Sequence, residues 1–381
     1  MRPSAPISSR RPSLELPNQH HVPLTWLLEH GGPTIRHRTI RELAPEGSVS
    51  PKTAQEAADG VTAYKAASSI AKKQRPAGVW ASNMMGLAPS AALGIRDVGT
   101  IAQYRRLLQL GWPAGDRTFK LTTRVLFRLL SRDPDPALLF EFRKAVKAAP
   151  QSEGWARDTL RESASAALAE AGFNADPRLR GSAHRIISAV SQFLRSPQAL
   201  KPLATVGRQR VLDGNAYPPT WYSVAMMASM PRLQRERAGF TERLGQYLAH
   251  APPKHTFALK LGKKSLKPAH ILLGNPIQAD GRGVAKDIPL ALYYIELMSR
   301  IGILNTAPVA TRVLARLLKD CDGTGIWHPK NLRSQPKAKD PASYHYYPLL
   351  AVSKVAESRQ ADITFRLALI AKLLDWQLAF D

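Results

Sequence analysis

Apolar residues recur at three- and four-residue spacing along most of the chain, beginning with "VPLTWLLEHGGPTIRHRTIRELAP". This pattern predicts two short amphipathic helices separated by Gly31-Gly32-Pro33. Glycine stops the first, and Pro33 suits the first turn of the second. Ile35, Ile40 and Leu43 share one helical face, while Arg36, Arg38 and Arg41 lie elsewhere. From Ala54 onward the pattern is helical nearly throughout. The best candidate for strand is "HTFALKLGKKSL", starting at His255.

The pattern also repeats. "TTRVLFRLLSRD" starts at Thr122 and "ATRVLARLLKD" at Ala310, and Thr-Arg-Val-Leu-x-Arg-Leu-Leu recurs in both. Upstream, "TIAQYRRLLQLG" ends at Gly111 and "ALYYIELMSRIG" at Gly302. A third, weaker copy runs from Leu168 to Ser196, with its helix ending at Gly172. Each copy reads as helix, glycine, polar turn, helix. Two apolar helices also give way to a glycine-containing turn and a tryptophan, at Trp80 and at Trp327. Such units bury their apolar faces only against neighbouring units, so stacking or ring closure is expected.

These features resemble the α/α-toroid proteins, the squalene cyclase and prenyltransferase superfamily. Their repeats end in Gln-x-x-Asp-Gly-x-Trp turns. The corresponding stretches here are Gln74-Arg75-Pro76-Ala77-Gly78-Val79-Trp80, with Ala77 in place of the acid, and Asp322-Gly323-Thr324-Gly325-Ile326-Trp327, spaced differently. The late "GIWHPKNLRSQPKAKDPASYHYYPLLAV" is similar to the family's Gly-x-x-x-Lys-Pro … Tyr-His segment. In protein prenyltransferases that histidine binds zinc, which the resemblance would carry to His345. The expected fold is all-α, built of helical-hairpin repeats as an α/α toroid, with a HEAT-like helical solenoid as the alternative. Residues 1–20 are expected as a disordered basic tail and 21–381 as a helical repeat domain. Within it, 21–50 form an N-terminal hairpin and 54–381 toroid-like repeats.

Charge changes the picture of partners. The 381 residues carry a formal net charge of +25, which points to an anionic small molecule, nucleic acid or an anionic surface. Hydrophobic residues make up 44%, enough to exclude wholesale disorder. One cysteine excludes an internal disulfide framework and a cysteine-rich zinc module. No apolar run is long enough to span a membrane, and no apolar segment follows the basic start as in a secretory signal. The expectation is a soluble cytoplasmic protein.

The catalytic motifs of the resembling family are incomplete. Cyclases protonate their substrate with Asp-x-Asp-Asp; the nearest approaches are Asp133-Pro134-Asp135 and Asp320-Cys321-Asp322. Zinc-dependent prenyl transfer needs Asp, a cysteine thiolate and a distant histidine. The matching neighbourhood "NPIQADGRGVAKDIP" offers Asp280 and Asp287 but no cysteine, and reads as a turn. Cys321 lies only 24 residues before His345, so Cys321, Asp322, His328 and His345 have no recognised metal spacing. Neither a Gly-x-Ser-x-Gly elbow nor a phosphate loop occurs, and no cofactor is expected.

Two basic loops remain, with Lys254, Lys260, Lys263, Lys264 and Lys267 in one and Lys330, Arg333, Lys337 and Lys339 in the other. If both project to one rim they could hold phosphate groups. The expected function is a non-cyclising toroid-like protein that binds an isoprenoid-like or anionic ligand in its cavity or rim. Trp80, Trp327, His328, His345 and Tyr346 would line that site, with Lys330 and Arg333 supplying charge. The alternatives are a basic helical scaffold for nucleic acid and a divergent terpene cyclase or prenyltransferase-type enzyme.

Overall fold

The computed structural model describes residues 16–81, 83–89, 96–131, 153–254, 256–261, 264–330, 334–339, 345–351 and 355–381. Gln19 and His20, expected in a disordered tail, open strand β1 (Gln19–Val22); residues 1–15 lie outside the described part. Helices α1 (Leu24–His30) and α2 (Gly32–Glu42) meet at the glycine pair, where Gly31 N donates to Leu27 O and Gly32 takes φ +62°. Then follow α3 (Pro51–Ala63), capped by the Ser50 hydroxyl, and α4 (Lys65–Lys72).

Helices α5 (Thr100–Gln109) and α6 (Arg117–Leu129) form the first repeat hairpin, and α7 (Glu153–Glu170) and α8 (Pro177–Arg195) the weaker third copy. Strands β2 (Leu203–Val206) and β3 (Gln209–Leu212) precede α9 (Trp221–Ala228), α10 (Pro231–Glu236) and α11 (Ala238–Ala249). Strands β4 (Phe257–Leu261) and β5 (Lys264–Leu266) lie in the segment expected to be strand. The chain ends with the second repeat hairpin, α12 (Ile288–Ile301) and α13 (Pro308–Lys319), then α14 (Ala356–Leu373) and β6 (Gln377–Phe380).

The protein is therefore mostly helical rather than all-α. Strands β2, β3, β4 and β5 form one small sheet in that order, and β1 pairs in parallel with β6, Gln19 opposite Gln377. Both termini of the described fold are thus zipped together. Val22, Leu27, Ile35 and Leu43 share a core cluster with Phe365 and Leu369 of α14, so the N-terminal hairpin is packed on the last helix.

The three hairpins share one closure. Gly111, Gly172 and Gly302 all have positive φ, between +78° and +86°. In each, the next residue donates its N–H four residues behind the glycine: Trp112 to Leu107 O, Phe173 to Leu168 O, and Ile303 to Met298 O. This satisfies the carbonyls a helix leaves free at its end, and it needs a residue without a Cβ penalty.

The tryptophan turns are also equivalent. Arg75 N donates to Val79 O and Gly78 N to Arg75 O; likewise Asp322 N donates to Ile326 O and Gly325 N to Asp322 O. Gly325, not Gly323, therefore matches Gly78, and the spacing of the two turns is the same after all. A third turn follows this pattern, with Asp280 N to Val284 O and Gly283 N to Asp280 O. Gly78, Gly283 and Gly325 all have positive φ. A Cβ on any of them would press into backbone, of Leu121, Arg312 and His21 respectively. Each turn seats its element against a neighbour: Trp80 N donates to the Thr100 hydroxyl on α5, and Trp327 N to the Thr364 hydroxyl on α14.

Helix packing runs in sequence and returns to its start: α5 against α7, α7 against α9, α9 against α12, α12 against α14, α14 against α2, then through α3 and α4 back to α5. Helices α7, α9, α12 and α14 are buried over most of their length, whereas α6, α8, α11 and α13 bury one face. The starts of α7, α9, α12 and α14 line two cavities, and the ends of α2, α5, α7, α9 and α12 line a third.

Candidate functional site

The largest of these cavities, about 530 Å³, is built on the first turns of α7. Trp155, Asp158, Thr159 and Glu162 fall at helical spacing and present one face to it. The later residues of α7 are mostly small, Ser163 to Ala167 being Ser-Ala-Ser-Ala-Ala, and this lets neighbouring helices approach and bury the helix on all sides. The loop Asp213–Pro218 after β3, Lys260 of β4, and His270 and Ile271 form the opposite wall.

Glu162 is the chemically distinctive group. It is only 3% exposed, and its Oε1 accepts from the Thr220 hydroxyl at 2.9 Å. Thr220 is itself the N-cap of α9, in a capping box with Ser223. Burial pushes the Glu162 carboxyl up to about 7, against the smaller opposing effect of its bonds from Thr220 and Ser223. The neighbouring Asp158 carboxylate adds to the rise. Asp158, one turn earlier, is also raised by burial, opposed by Arg161 at 2.6 Å and by Arg185. Burial holds Tyr217 well above its ordinary value and lowers His270 to about 4, so the imidazole faces the cavity uncharged at neutral pH.

Behind this wall lies a buried aromatic and ionic cluster. The Tyr222 ring sits 6.1 Å from His270 on one side and 5.2 Å from His345 on the other. His345 stacks on Tyr293, and its Nδ1 accepts from Arg105 Nη1 at 2.9 Å, since a guanidinium can only donate. Arg105 also holds Glu170 through two bonds of 2.6 and 2.7 Å and donates to the Tyr293 hydroxyl at 2.6 Å.

The residues expected from the sequence to form the site are not brought together. Trp80 and Trp327 are buried turn anchors, and the Trp80 indole donates to Ile70 O. His328 is exposed and pairs with Gln360, Lys330 is exposed, and Arg333 lies outside the described residues, as do Asp133 and Asp135. His345 is buried, with Nδ1 committed to Arg105. Burial raises the Cys321 thiol to about 12, helped by Asp322 and Asp320, so it is neither nucleophile nor ready thiolate ligand. Asp322 Oδ1 accepts from Thr324 N, Ile326 N and the Thr324 hydroxyl within its own turn. Among the described residues no three His, Cys, Asp or Glu side chains converge as a metal site.

Of the expected residues, Tyr346 lines a cavity. That space of about 460 Å³ is walled by Ile288, Pro336, Tyr346 and Ile363, with Arg106, Lys337 and Arg359 also on it. From the two basic segments, Lys260 lines the first cavity and Lys337 the second. Among the described residues no helix is long and apolar enough to cross a membrane. No family model, curated protein or solved structure matches the chain.

Proposed function

We propose that the helical circuit is an α/α toroid and that the cavity at Glu162 is its active site, with Glu162 a proton donor and acceptor. The toroid reading is supported by the returning packing order, the three identical hairpin closures and the three equivalent turns. One observation carries the functional reading: a buried carboxyl, bonded by the Thr220 hydroxyl, faces a cavity of small-molecule size. A general acid works best with a pKa near the working pH, and burial brings Glu162 to that range.

The reading is tested with a diazoacetamide reagent, which alkylates a carboxyl only in its protonated form. The acid's proton passes to the diazo carbon, dinitrogen leaves, and the carboxylate oxygen takes the carbon. Mass spectrometry should locate the ester on Glu162 at pH 6, with labelling falling above pH 7. Absence of label there at pH 6 overturns the assignment. Stability gives a second readout. A carboxyl raised from 4.5 to about 7 costs the native state nothing below pH 4.5 and progressively more up to pH 7, reaching about 3 kcal/mol. Glu162→Gln should therefore match the parent at pH 4.5 and exceed it by about 3 kcal/mol in urea unfolding at pH 8.

A second reading is favoured by the cavity beside Tyr346, whose apolar walls and cations suit an amphiphilic anion such as a prenyl diphosphate. Saturating geranyl diphosphate should raise the melting temperature by several degrees, and Lys337→Glu should abolish the effect. An unchanged melting temperature in the parent protein retires this reading.

A further inference from the structure

The composition of the Glu162 cavity narrows what it takes. The chain carries a net charge of +25, yet among the described residues the cavity is lined by three carboxyls, Asp158, Glu162 and Asp213, and one ammonium, Lys260. An anionic ligand would meet these carboxyls, so the basic surface does not extend its preference into the cavity. A cationic ligand is poorly served too. Asp158 is already paired with Arg161, and Lys260 stands at the wall. What remains is a dense set of hydrogen-bonding groups: the Tyr217 hydroxyl, the Asn215 amide, Asp213 on an exposed loop, and Glu162. Beside them lies the half-buried ring of Trp155, tilted against His270 at 6.1 Å. An indole face next to alternating donors and acceptors matches a ring with apolar C–H faces and hydroxyl edges.

We infer that the cavity binds a neutral polyhydroxylated ring, a saccharide, with Trp155 beneath the ring and Glu162 on a hydroxyl or ring-linking oxygen. The inference rests on the reading of Glu162 as the cavity's acid. The groups around Glu162 in the cavity are Asp158 on its own helix, paired with Arg161, Thr220 and Ser223 at the start of α9, Asp213 and Tyr217 in the loop after β3, His270 beyond β5 and Lys260 on β4. Burial holds the Glu162 carboxyl up to about 7, whereas it lowers His270 to about 4. The protonated carboxyl donates to the ligand oxygen, and the ionised one cannot.

The test is calorimetric titration of the full chain with maltose and cellobiose, and with glucose 6-phosphate and glucosamine as charged counterparts. A neutral disaccharide should bind at pH 6 and weaken about tenfold by pH 8 as Glu162 ionises. Glu162→Gln should bind without that pH dependence, because an amide still donates. Trp155→Leu should weaken binding at least tenfold with an unchanged circular dichroism spectrum, and Trp155→Phe should restore part of it. Preference for the phosphate or the amine, or no heat with either disaccharide, overturns the saccharide assignment. Diazo labelling separates the two failures: if Glu162 is still esterified at pH 6, only the ligand class is wrong, and if it is not, the acid reading falls with it.

Discussion

Between pH 6.5 and pH 4 the protein should lose a large part of its folding stability. Three histidines are held neutral in the native state. Burial lowers His20 and His270 from 6.5 to about 4, and lowers His345 well below 6.5, where Arg105 adds to the effect. Above pH 6.5 these groups are neutral whether folded or unfolded and contribute nothing. As pH falls through 6.5 the unfolded chain takes up protons that the native state refuses, so stability drops until the native midpoints are reached. At 1.36 kcal/mol per pKa unit, His20 and His270 each remove about 3 kcal/mol over this window, and His345 adds to the loss. Glu162 acts in the opposite direction and returns about 3 kcal/mol as it protonates between pH 7 and 4.5. The net loss is a large fraction of the ~5–15 kcal/mol that holds a folded protein together. Urea midpoints at pH 7.5, 6, 5 and 4 measure it directly. His20→Leu should flatten the profile by about 3 kcal/mol, because His20 Nε2 has no hydrogen-bond partner to lose and the strand pairing to β6 is made by the backbone. Stability constant to within about 1 kcal/mol down to pH 4 would show that the imidazoles are not neutral in the native state.

How much of this was legible in the sequence depends on whether the signal is periodic or spatial. The hairpin closures were legible because a helix stop needs glycine: Gly111, Gly172 and Gly302 stand where apolar periodicity ends. The strand at "HTFALKLGKKSL" was legible because Phe257, Leu259 and Leu261 alternate with Ala258 and Lys260. The pairing of β1 with β6 was not, since Gln19–Val22 and Gln377–Phe380 are four residues each, and their partner lies at the other end of the chain. "QADGRGVA" reads as a turn, but its equivalence to the other two was not legible because it carries no tryptophan, although it has the same hydrogen bonds. Glu162 was missed for a different reason. In "WARDTLRESASAALAE" the charges fall at i, i+3 and i+4 and read as a solvated helix face. The available signal was the run of small residues from Ser163 to Ala167, which implies close packing all round and therefore a buried carboxylate just before it. The resemblance to the toroid family directed attention to Trp327 and His345, which are buried, whereas Glu162 lines a cavity built from other residues.

Arg105→Met should cost about 3–5 kcal/mol, because it removes a charge that compensates several buried groups at once. The guanidinium is 3% exposed and makes two bonds to Glu170, one to the Tyr293 hydroxyl and one to His345 Nδ1. These partners come from α7, α12 and the segment before α14, so a single side chain on α5 ties the interior faces of the circuit together. Methionine keeps much of the packing volume and supplies no donor. Glu170 is then left facing a low-dielectric interior, and the Tyr293 hydroxyl and the imidazole each lose a partner. Glu170 retains some solvent contact, its side chain being 22% exposed, which places the cost toward the lower end of that range. Arg105→Met combined with Glu170→Gln should recover part of the loss, since the amide is far easier to leave unpaired than the carboxylate. A coupling of at least about 1 kcal/mol in the double-mutant cycle is the expected outcome in urea unfolding. The same substitution bears on the acid profile. Arg105 depresses the His345 midpoint, so its removal lets the imidazole protonate more readily in the native state and lessens that residue's share of the acid loss. A cost below about 1 kcal/mol for Arg105→Met would mean that water already shares these bonds.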